Sequence, residues 1–149
     1  MSVEFLEAVG YKNLSEFYSV VSRCLKPGGI AVVQSITTGR TALIQTDQWI
    51  PKYIFPNGYL PSPSLMCLSS EMKLTVEDIQ NFGMDYYKTL KAWFANYKKS
   101  GAGESRGPVF DLMWEFYLLY SATGFRSKKI HLYQVVYSKH LYNRYDAPR

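Results

Sequence analysis

Segment 49–61 has the residue types of a binding-site wall, reading Trp-Ile-Pro-Lys-Tyr-Ile-Phe-Pro-Asn-Gly-Tyr-Leu-Pro. Its three prolines stiffen the backbone and its aromatic rings supply apolar surface. Loops that a scaffold holds in place often carry binding groups. Tyrosine, with 13 copies in the chain, adds a polar tip to each apolar ring. These residue types predict an apolar pocket with a few hydrogen-bonding groups, and the alternative is a loop that only closes a core.

Cysteine and histidine are frequent nucleophiles and metal ligands, but their spacing in this chain suits neither role. Cys24 and Cys67 do not form a CxxC pair, and two cysteines cannot build a disulfide scaffold. A reducing cellular interior is the simpler inference. His131 and His140 lack metal-ligand spacing with carboxylates or cysteines, so we interpret both as structural or exposed and expect no metal site.

The first part of the chain predicts a helix followed by a strand. Asn13, with Glu16 three positions later, is typical of a helix start of the capping-box type. Helical spacing predicts one apolar face, made by Phe17, Val20, Val21, Cys24 and Leu25. A proline and two glycines in 26–29 end this helix, and the β-branched run 30–36 predicts a buried strand.

After segment 49–61, Ser62 predicts the cap of a short helix that runs to about Ser69. Segment 74–82 is ambiguous, because its residues fit a helix start and also alternate like a strand. Beyond Gly83 a helix is predicted from an aromatic stripe of Tyr86, Leu90, Trp93 and Tyr97.

The last part of the chain predicts a second helix and a final strand. Segment 100–108 is a polar, glycine-rich break. Segment 110–120 is apolar on nearly every face, as expected of a buried helix. Segment 130–138 predicts a strand.

This order of elements predicts one α/β domain with about three strands and flanking helices. No opening strand is predicted before Asn13, so the predicted elements begin part-way through a strand–helix–strand pattern. A buried parallel sheet normally has helices on both faces. We therefore expect that part of the domain precedes Met1 and is missing from this sequence.

The net charge of +5 is concentrated at the C-terminal end. From Arg126 onward there are six basic residues and one acid, which leaves 11 of each in the first 125 residues. A basic end on a neutral body favours an anionic membrane surface, and the alternative is a solvated tail without a partner. No nucleic-acid-binding motif accompanies the charge, and no apolar run is long enough to span a bilayer.

A series of short motifs runs in order along almost the whole chain. They are 2–10 with Lys12-Asn13, Arg-Cys-Leu-Lys-Pro-Gly-Gly at 23–29, Tyr-Ile-Phe-Pro-Asn-Gly at 53–58, Asn-Phe-Gly at 81–83 with Asp85-Tyr86, Thr89-Leu90 with Trp93, Gly-Phe-Arg at 124–126, and Gln-Val-Val-Tyr-Ser at 134–138. Together they resemble the cyclopropane-fatty-acyl-phospholipid synthase and mycolic acid cyclopropane synthase family of S-adenosylmethionine-dependent methyltransferases. The 53–58 loop with the later Thr-Leu/Trp spacing is the most specific part.

The resemblance implies the C-terminal part of a Rossmann-like class I methyltransferase fold. Residues 1–149 would then be a single partial domain that lacks the N-terminal cofactor-binding half. In the family, a glycine-rich turn upstream of Glu7 holds S-adenosylmethionine, because glycines let the backbone approach a ligand beside a helix N-terminus. This sequence has no GxGxxG segment, so we expect the chain alone to bind S-adenosylmethionine weakly or not at all.

The resemblance also implies the reaction and its site. Such enzymes add a methyl group to a cis double bond of a phospholipid acyl chain, and the resulting carbocation loses a proton, to bicarbonate, as the ring closes. By resemblance, Glu7 accepts the bicarbonate hydroxyl, Tyr86 donates its phenol and Ile36 donates its backbone N–H. Gln34 replaces the histidine of many relatives, keeping a donor that cannot titrate near neutral pH. Ser121 replaces a cysteine once treated as catalytic, which weakens any nucleophile hypothesis.

The leading hypothesis is therefore the C-terminal part of a cyclopropane-forming methyltransferase that is cytoplasmic and peripheral to membranes. Homodimerisation stays open. Two alternatives are an amine N-methyltransferase of the same architecture, which would not need the bicarbonate site, and a non-catalytic lipid-binding remnant.

Overall fold

The computed structural model describes residues 1–42, 47–103, 106–140 and 145–147. A four-stranded mixed sheet in the order β1-β2-β4-β3 forms its centre. β1 runs parallel to β2, whereas β4 is antiparallel to both β2 and β3. The strands are β1 (Ser2–Val3), β2 (Ile30–Thr38), β3 (Thr75–Asn81) and β4 (Ile130–Ser138).

Six α-helices accompany this sheet in the described residues. They are α1 (Leu6–Val9), α2 (Leu14–Cys24), α3 (Trp49–Tyr53), α4 (Pro63–Ser70), α5 (Gly83–Ser100) and α6 (Pro108–Arg126). None of them has the length and apolar character needed to cross a bilayer. Two basic residues of the C-terminal run, Arg144 and Arg149, and part of the 100–108 break lie outside the described residues.

Local patterns predicted most of these elements. The strands at 30–36 and 130–138 and the helices after Ser62 and Gly83 are confirmed. The hydroxyl of Ser62 accepts the Leu65 N–H at 3.1 Å, as an N-cap should. The ambiguous segment 74–82 forms β3, because it pairs with β4.

Four predictions about the first half were wrong in detail. A strand does precede Asn13, since β1 pairs with β2, and it was missed because two residues show no pattern. The Asn13 side chain donates to the Val9 carbonyl at 3.0 Å instead of capping α2. Val20 and Cys24 are exposed, and the buried face of α2 is made by Leu14, Phe17, Tyr18, Val21 and Leu25. The segment expected to be a loop begins with α3.

Two apolar clusters pack on opposite faces of the sheet, because successive strand residues point to opposite sides. The first joins α1, α2 and α4 to the sheet and includes Leu6, Leu14, Tyr18, Val33 and Tyr137. The second joins α5 and α6 to the sheet and includes Leu90, Leu118, Ala122, Phe125 and Leu132. The sheet therefore has helices on both faces.

The helix predicted over 110–120 is confirmed as part of α6, but the expectation that it is buried on nearly every face was wrong. α6 packs along α5 and buries Leu118, Ala122 and Phe125. Its opposite face is exposed and apolar, with Val109, Leu112, Phe116, Leu119 and Tyr120. Apolar composition does not specify burial, which depends on what packs against each face of the helix.

Candidate active site

A cavity of about 450 Å³ lies at the ends of β1 and β2, beneath α6 and segment 49–61. Its described wall is mostly apolar and aromatic, and its charged members are Glu4, Glu7, Asp47 and Lys129. The 49–61 segment contributes Ile50, Pro51, Ile54, Phe55, Pro56, Gly58 and Leu60. The prediction that this segment lines an apolar pocket is therefore confirmed.

Glu7 is the carboxylate at the sheet end of this cavity. It sits in the first turn of α1, which buried Leu6 anchors in the core. The Ile36 backbone N–H donates to Glu7 Oε1 at 2.5 Å. Glu7 Oε2 is buried and has no hydrogen-bonding partner of good geometry among the described residues. The Ser35 hydroxyl lies near enough to lower the pKa of Glu7, but it donates to the Ile36 carbonyl at 3.1 Å. A buried acceptor without a donor is costly, so Glu7 Oε2 marks a place for a polar ligand.

Burial raises the pKa of Glu7 above its ordinary value of 4.5, and the negative charge of Glu4 adds to the rise. The Ile36 N–H opposes this effect because it stabilises the ionised carboxylate. The side chain is therefore a better proton acceptor than an exposed glutamate.

Tyr86 lies in the first turn of α5 and is held by neighbouring rings. Its ring centroid lies 5.0 Å from that of Phe125 and 5.9 Å from that of Trp93. Burial raises the pKa of Tyr86, as do the charge of Glu4 and a hydrogen bond to it. The phenol therefore stays protonated at neutral pH, and its single hydrogen is engaged by the Glu4 carboxylate, which also lines the cavity.

Gln34 is not on the described wall of the cavity. It pairs with Gln134 across β2 and β4, and its Oε1 accepts from Gln134 Nε2 at 2.7 Å. Its own Nε2 donates to Glu4 Oε1 at 3.3 Å. Both ends of this amide are thus occupied, and its role as a ligand of a bound anion stays a prediction.

Glu4 is the site residue that the sequence analysis missed. It follows β1 directly with a φ of 53° and lines the cavity. Its carboxylate links Gln34 to the Tyr86 hydroxyl, and its N–H donates to the Gln34 carbonyl at 3.0 Å. An acidic residue at the carboxyl end of a parallel strand is a usable signal, but it required recognising β1.

α6 supplies the part of the cavity wall that adjoins the 49–61 segment. Tyr117 and Ser121 lie one helical turn apart on its cavity face, and Phe55 contacts Tyr117 with ring centroids 6.0 Å apart. Ser121 is one of the residues that line the cavity, and a nucleophilic role for its hydroxyl stays an untested prediction.

The described residues contain no group of three His, Cys, Asp or Glu side chains that could hold a metal ion. Cys24 and Cys67 are free thiols, and neither lines the cavity. The chemistry available at this site is therefore that of a carboxylate, a phenol, a backbone N–H and aromatic faces.

A comparison to known sequences finds a family model that matches most of the chain. Residues 1–135 match the sequence model of the family described as mycolic acid cyclopropane synthetase. The chain belongs to this family. It is 41% identical over 145 residues to the cyclopropane-fatty-acyl-phospholipid synthase of Escherichia coli K12, covering 96% of this chain and 38% of that protein. The tuberculostearic acid methyltransferase UfaA1 of Mycobacterium tuberculosis is 34% identical, with 90% and 33% covered.

Solved structures of the family confirm the fold class. The cyclopropane synthase MmaA2 from Mycobacterium tuberculosis superposes with a TM-score of 0.85 at 22% identity, over 93% of this chain and 54% of that one. The mycolic acid cyclopropane synthase CmaA1, complexed with SAH and CTAB, gives a TM-score of 0.82 at 25% identity, over the same shares. The chain thus spans only part of the family members it matches, and its α/β fold is part of a class I methyltransferase fold.

Replacing the buried carboxylate should make the protein more stable at neutral pH. Because the pKa of Glu7 is raised on folding, its ionised form destabilises the folded state above the folded-state pKa. This destabilisation disappears as the pH falls below the ordinary value of 4.5. We expect Glu7→Gln to raise the free energy of unfolding in urea at neutral pH, with a difference that vanishes below pH 4.5.

The matched control is Glu16→Gln, which changes an exposed glutamate of α2 and should not raise the stability. A Glu7→Gln protein that is less stable at neutral pH would contradict the proposed burial cost.

Proposed function

We propose that this chain is the acyl-chain-binding part of a cyclopropane-forming methyltransferase that modifies a cis double bond in a phospholipid. The observation that carries the proposal is the buried, unpartnered Glu7 Oε2 at the wall of an apolar cavity. Lipid binding alone would favour an entirely apolar wall, since an unpaired buried acceptor costs stability. A reaction that must remove a proton inside an apolar cavity explains the presence of the Glu7 carboxylate on its wall.

The apolar wall suits an acyl chain, and its aromatic faces suit a carbocation. Tyr86, Tyr117, Tyr120, Phe55 and Phe125 all line the cavity. The negative face of each desolvated ring stabilises a nearby positive charge by about 0.5–2 kcal/mol. The wall also excludes water, which would otherwise add to the cation and convert it to an alcohol.

The described residues fit a bicarbonate ion. Glu7 Oε2 would accept its hydroxyl, and the Ile36 N–H, which already holds Glu7 Oε1, would share its hydrogen with one of its oxygens. The Tyr86 phenol would donate to another oxygen after giving up its hydrogen bond to Glu4. When bound, bicarbonate would supply a base that resists alkylation, and Glu7, Tyr86 and Ile36 would hold it.

S-adenosylmethionine supplies the methyl group in such reactions, but the described residues do not make a glycine-rich turn for it. β1 leads into α1 through Glu4 and Phe5, where the backbone cannot approach a ligand as closely as at glycine. We therefore assign no residue of this chain to the cofactor.

A chimera tests the proposed function. In it, this chain replaces the segment of the Escherichia coli synthase that it matches, so that the remainder of that protein completes the domain. We expect the chimera to add the mass of one methylene group to unsaturated acyl chains of phospholipid vesicles when S-adenosylmethionine is supplied. Mass spectrometry of the extracted fatty acids gives the readout.

The alternatives have different outcomes in the same assay. Methyl transfer to an amine without a ring in the acyl chain would favour the N-methyltransferase. A folded chimera that binds vesicles but transfers no methyl group would favour the non-catalytic remnant. Either result would overturn the proposal.

A further inference from the structure

An apolar stripe runs along the solvent side of α6. It consists of Val109, Leu112, Phe116, Leu119 and Tyr120, which we call the α6 stripe. Val109 is 81% exposed, Leu112 is 69% exposed, and Phe116 is 47% exposed. Spacings of three and four residues place these side chains on one face of the helix. A contiguous exposed apolar face of this kind marks an interaction site.

The α6 stripe lies beside the cavity face of the same helix. Tyr120 belongs to both, since it is in the stripe and lines the cavity. Tyr117, Ser121 and Gly124 continue the cavity wall on the adjoining side of α6. Whatever covers the stripe is therefore next to the cavity in which we place the acyl chain.

Aromatic rings connect the stripe to the 49–61 segment. The centroids of the Trp49 and Phe116 rings are 4.6 Å apart, and Phe116 stacks on Tyr120 at 5.4 Å. Tyr53, which is 49% exposed, contacts Trp49 at 5.6 Å. Tryptophan and tyrosine, with an apolar body and a polar tip, are the residues enriched where hydrocarbon meets water.

Cations flank this surface. Lys52 Nζ lies 4.9 Å from the Tyr53 ring centroid, and the Arg106 guanidinium lies 5.1 Å from that of Phe110. Lys98 is paired with Glu115 on the other side of α6. Exposed rings beside these two cations favour a partner that is apolar inside and negatively charged at its surface.

We propose that the α6 stripe, with Trp49 and Tyr53, is the surface that docks on a bilayer containing anionic phospholipids. The inference rests on the proposed function, because it is the acyl chain in the adjoining cavity that identifies lipid as the partner. Docked in this way, the stripe enters the boundary between headgroups and acyl chains, as an interfacial helix does. The cavity then faces the membrane, and an acyl chain enters it without crossing water.

The test is binding of the full 149-residue chain to vesicles of phosphatidylethanolamine and phosphatidylglycerol, measured by co-sedimentation. The double variant Val109→Gln/Leu112→Gln should bind about tenfold more weakly, because two exposed aliphatic side chains no longer enter the lipid. The matched control is Leu68→Gln/Met72→Gln, which removes side chains that are 65% and 98% exposed on or just after α4. This control should bind as the unmodified chain does.

Equal binding by both double variants would overturn the proposal. So would a change in sedimentation coefficient caused by Val109→Gln/Leu112→Gln without lipid, since a second copy of the chain would then cover the stripe. If a chimera with the same two substitutions fails to fold, the stripe packs against the remainder of the protein, which would also overturn the proposal.

Activity measurements separate this inference from the proposed function. In the chimera, Val109→Gln/Leu112→Gln should lower turnover of vesicle lipid and leave turnover of a monomeric short-chain unsaturated phospholipid unchanged. Loss of both activities would contradict docking as the role of the stripe. If the chimera has no activity at all, the proposed function fails, but vesicle binding still decides the role of the stripe.

Discussion

Glu7→Gln should lower cyclopropane formation by the chimera by roughly 10²–10⁴-fold, the usual contribution of a positioned base. The variant keeps an acceptor for the Ile36 N–H but loses the charge and one carboxylate oxygen. Gln also places an amide N–H₂ where a bicarbonate hydroxyl needs an acceptor. Product is measured by mass spectrometry of the fatty acids released from vesicles.

Two further measurements make this result decisive. Removing dissolved carbon dioxide and bicarbonate should slow the unmodified chimera, and added bicarbonate should restore it, while the Glu7→Gln chimera should respond to neither. Glu16→Gln, an exposed change on α2, should leave the rate unchanged. Because Glu7→Gln is expected to stabilise the fold at neutral pH, unfolding cannot explain its loss of activity. Full cyclopropane formation by the Glu7→Gln chimera would eliminate the bicarbonate site.

Leu118→Ala should lower the free energy of unfolding of the chain by about 2–5 kcal/mol, the usual cost of truncating a large buried side chain. Leu118 is 1% exposed and packs in the second cluster with Phe125 and Leu132. The cavity left behind cannot close completely, because α6 is held against both α5 and the sheet. Urea unfolding followed by circular dichroism measures the change.

Leu112→Ala is the matched control, since it makes the same substitution on the same helix. Its side chain is 69% exposed, so its effect should stay within about 0.5 kcal/mol. Similar losses in the two variants would mean that the α6 stripe is packed against protein. That result would contradict the burial described for α6.

Several elements could be predicted because their signals are local. β2 begins after Gly28 and Gly29 and consists mainly of β-branched and small residues, and Ser62 caps α4 through its own hydroxyl. The apolar wall of the cavity was also predictable, since the prolines and aromatic rings of segment 49–61 are a local feature of the sequence.

Other features depend on partners that are distant in the sequence. β1 has two residues and exists because it pairs with β2, and segment 74–82 becomes a strand because β4 lies beside it. Glu4 joins the site only through Gln34 and Tyr86, which come from two other elements. No periodicity within a single segment could have shown these contacts.

The placement of Gln34 follows the same rule. Its type and its strand could be predicted, but its hydrogen-bond partners are set by the register of β2 against β4, which places Gln134 opposite it. The exposed face of α6 is a further case, because an apolar sequence cannot tell whether protein or lipid covers it.

Glu7 is attached at two points, to the sheet and to segment 49–61. Its side chain is bonded to the Ile36 N–H of the sheet, and its backbone carbonyl accepts the Tyr59 N–H at 2.9 Å, in the segment that roofs the cavity. If segment 49–61 moves outward to admit an acyl chain, the Tyr59–Glu7 hydrogen bond would move Glu7 with it. In the proposed function, entry of the lipid would then be coupled to proton removal, because the position of the Glu7 carboxylate would differ between the empty and the filled cavity.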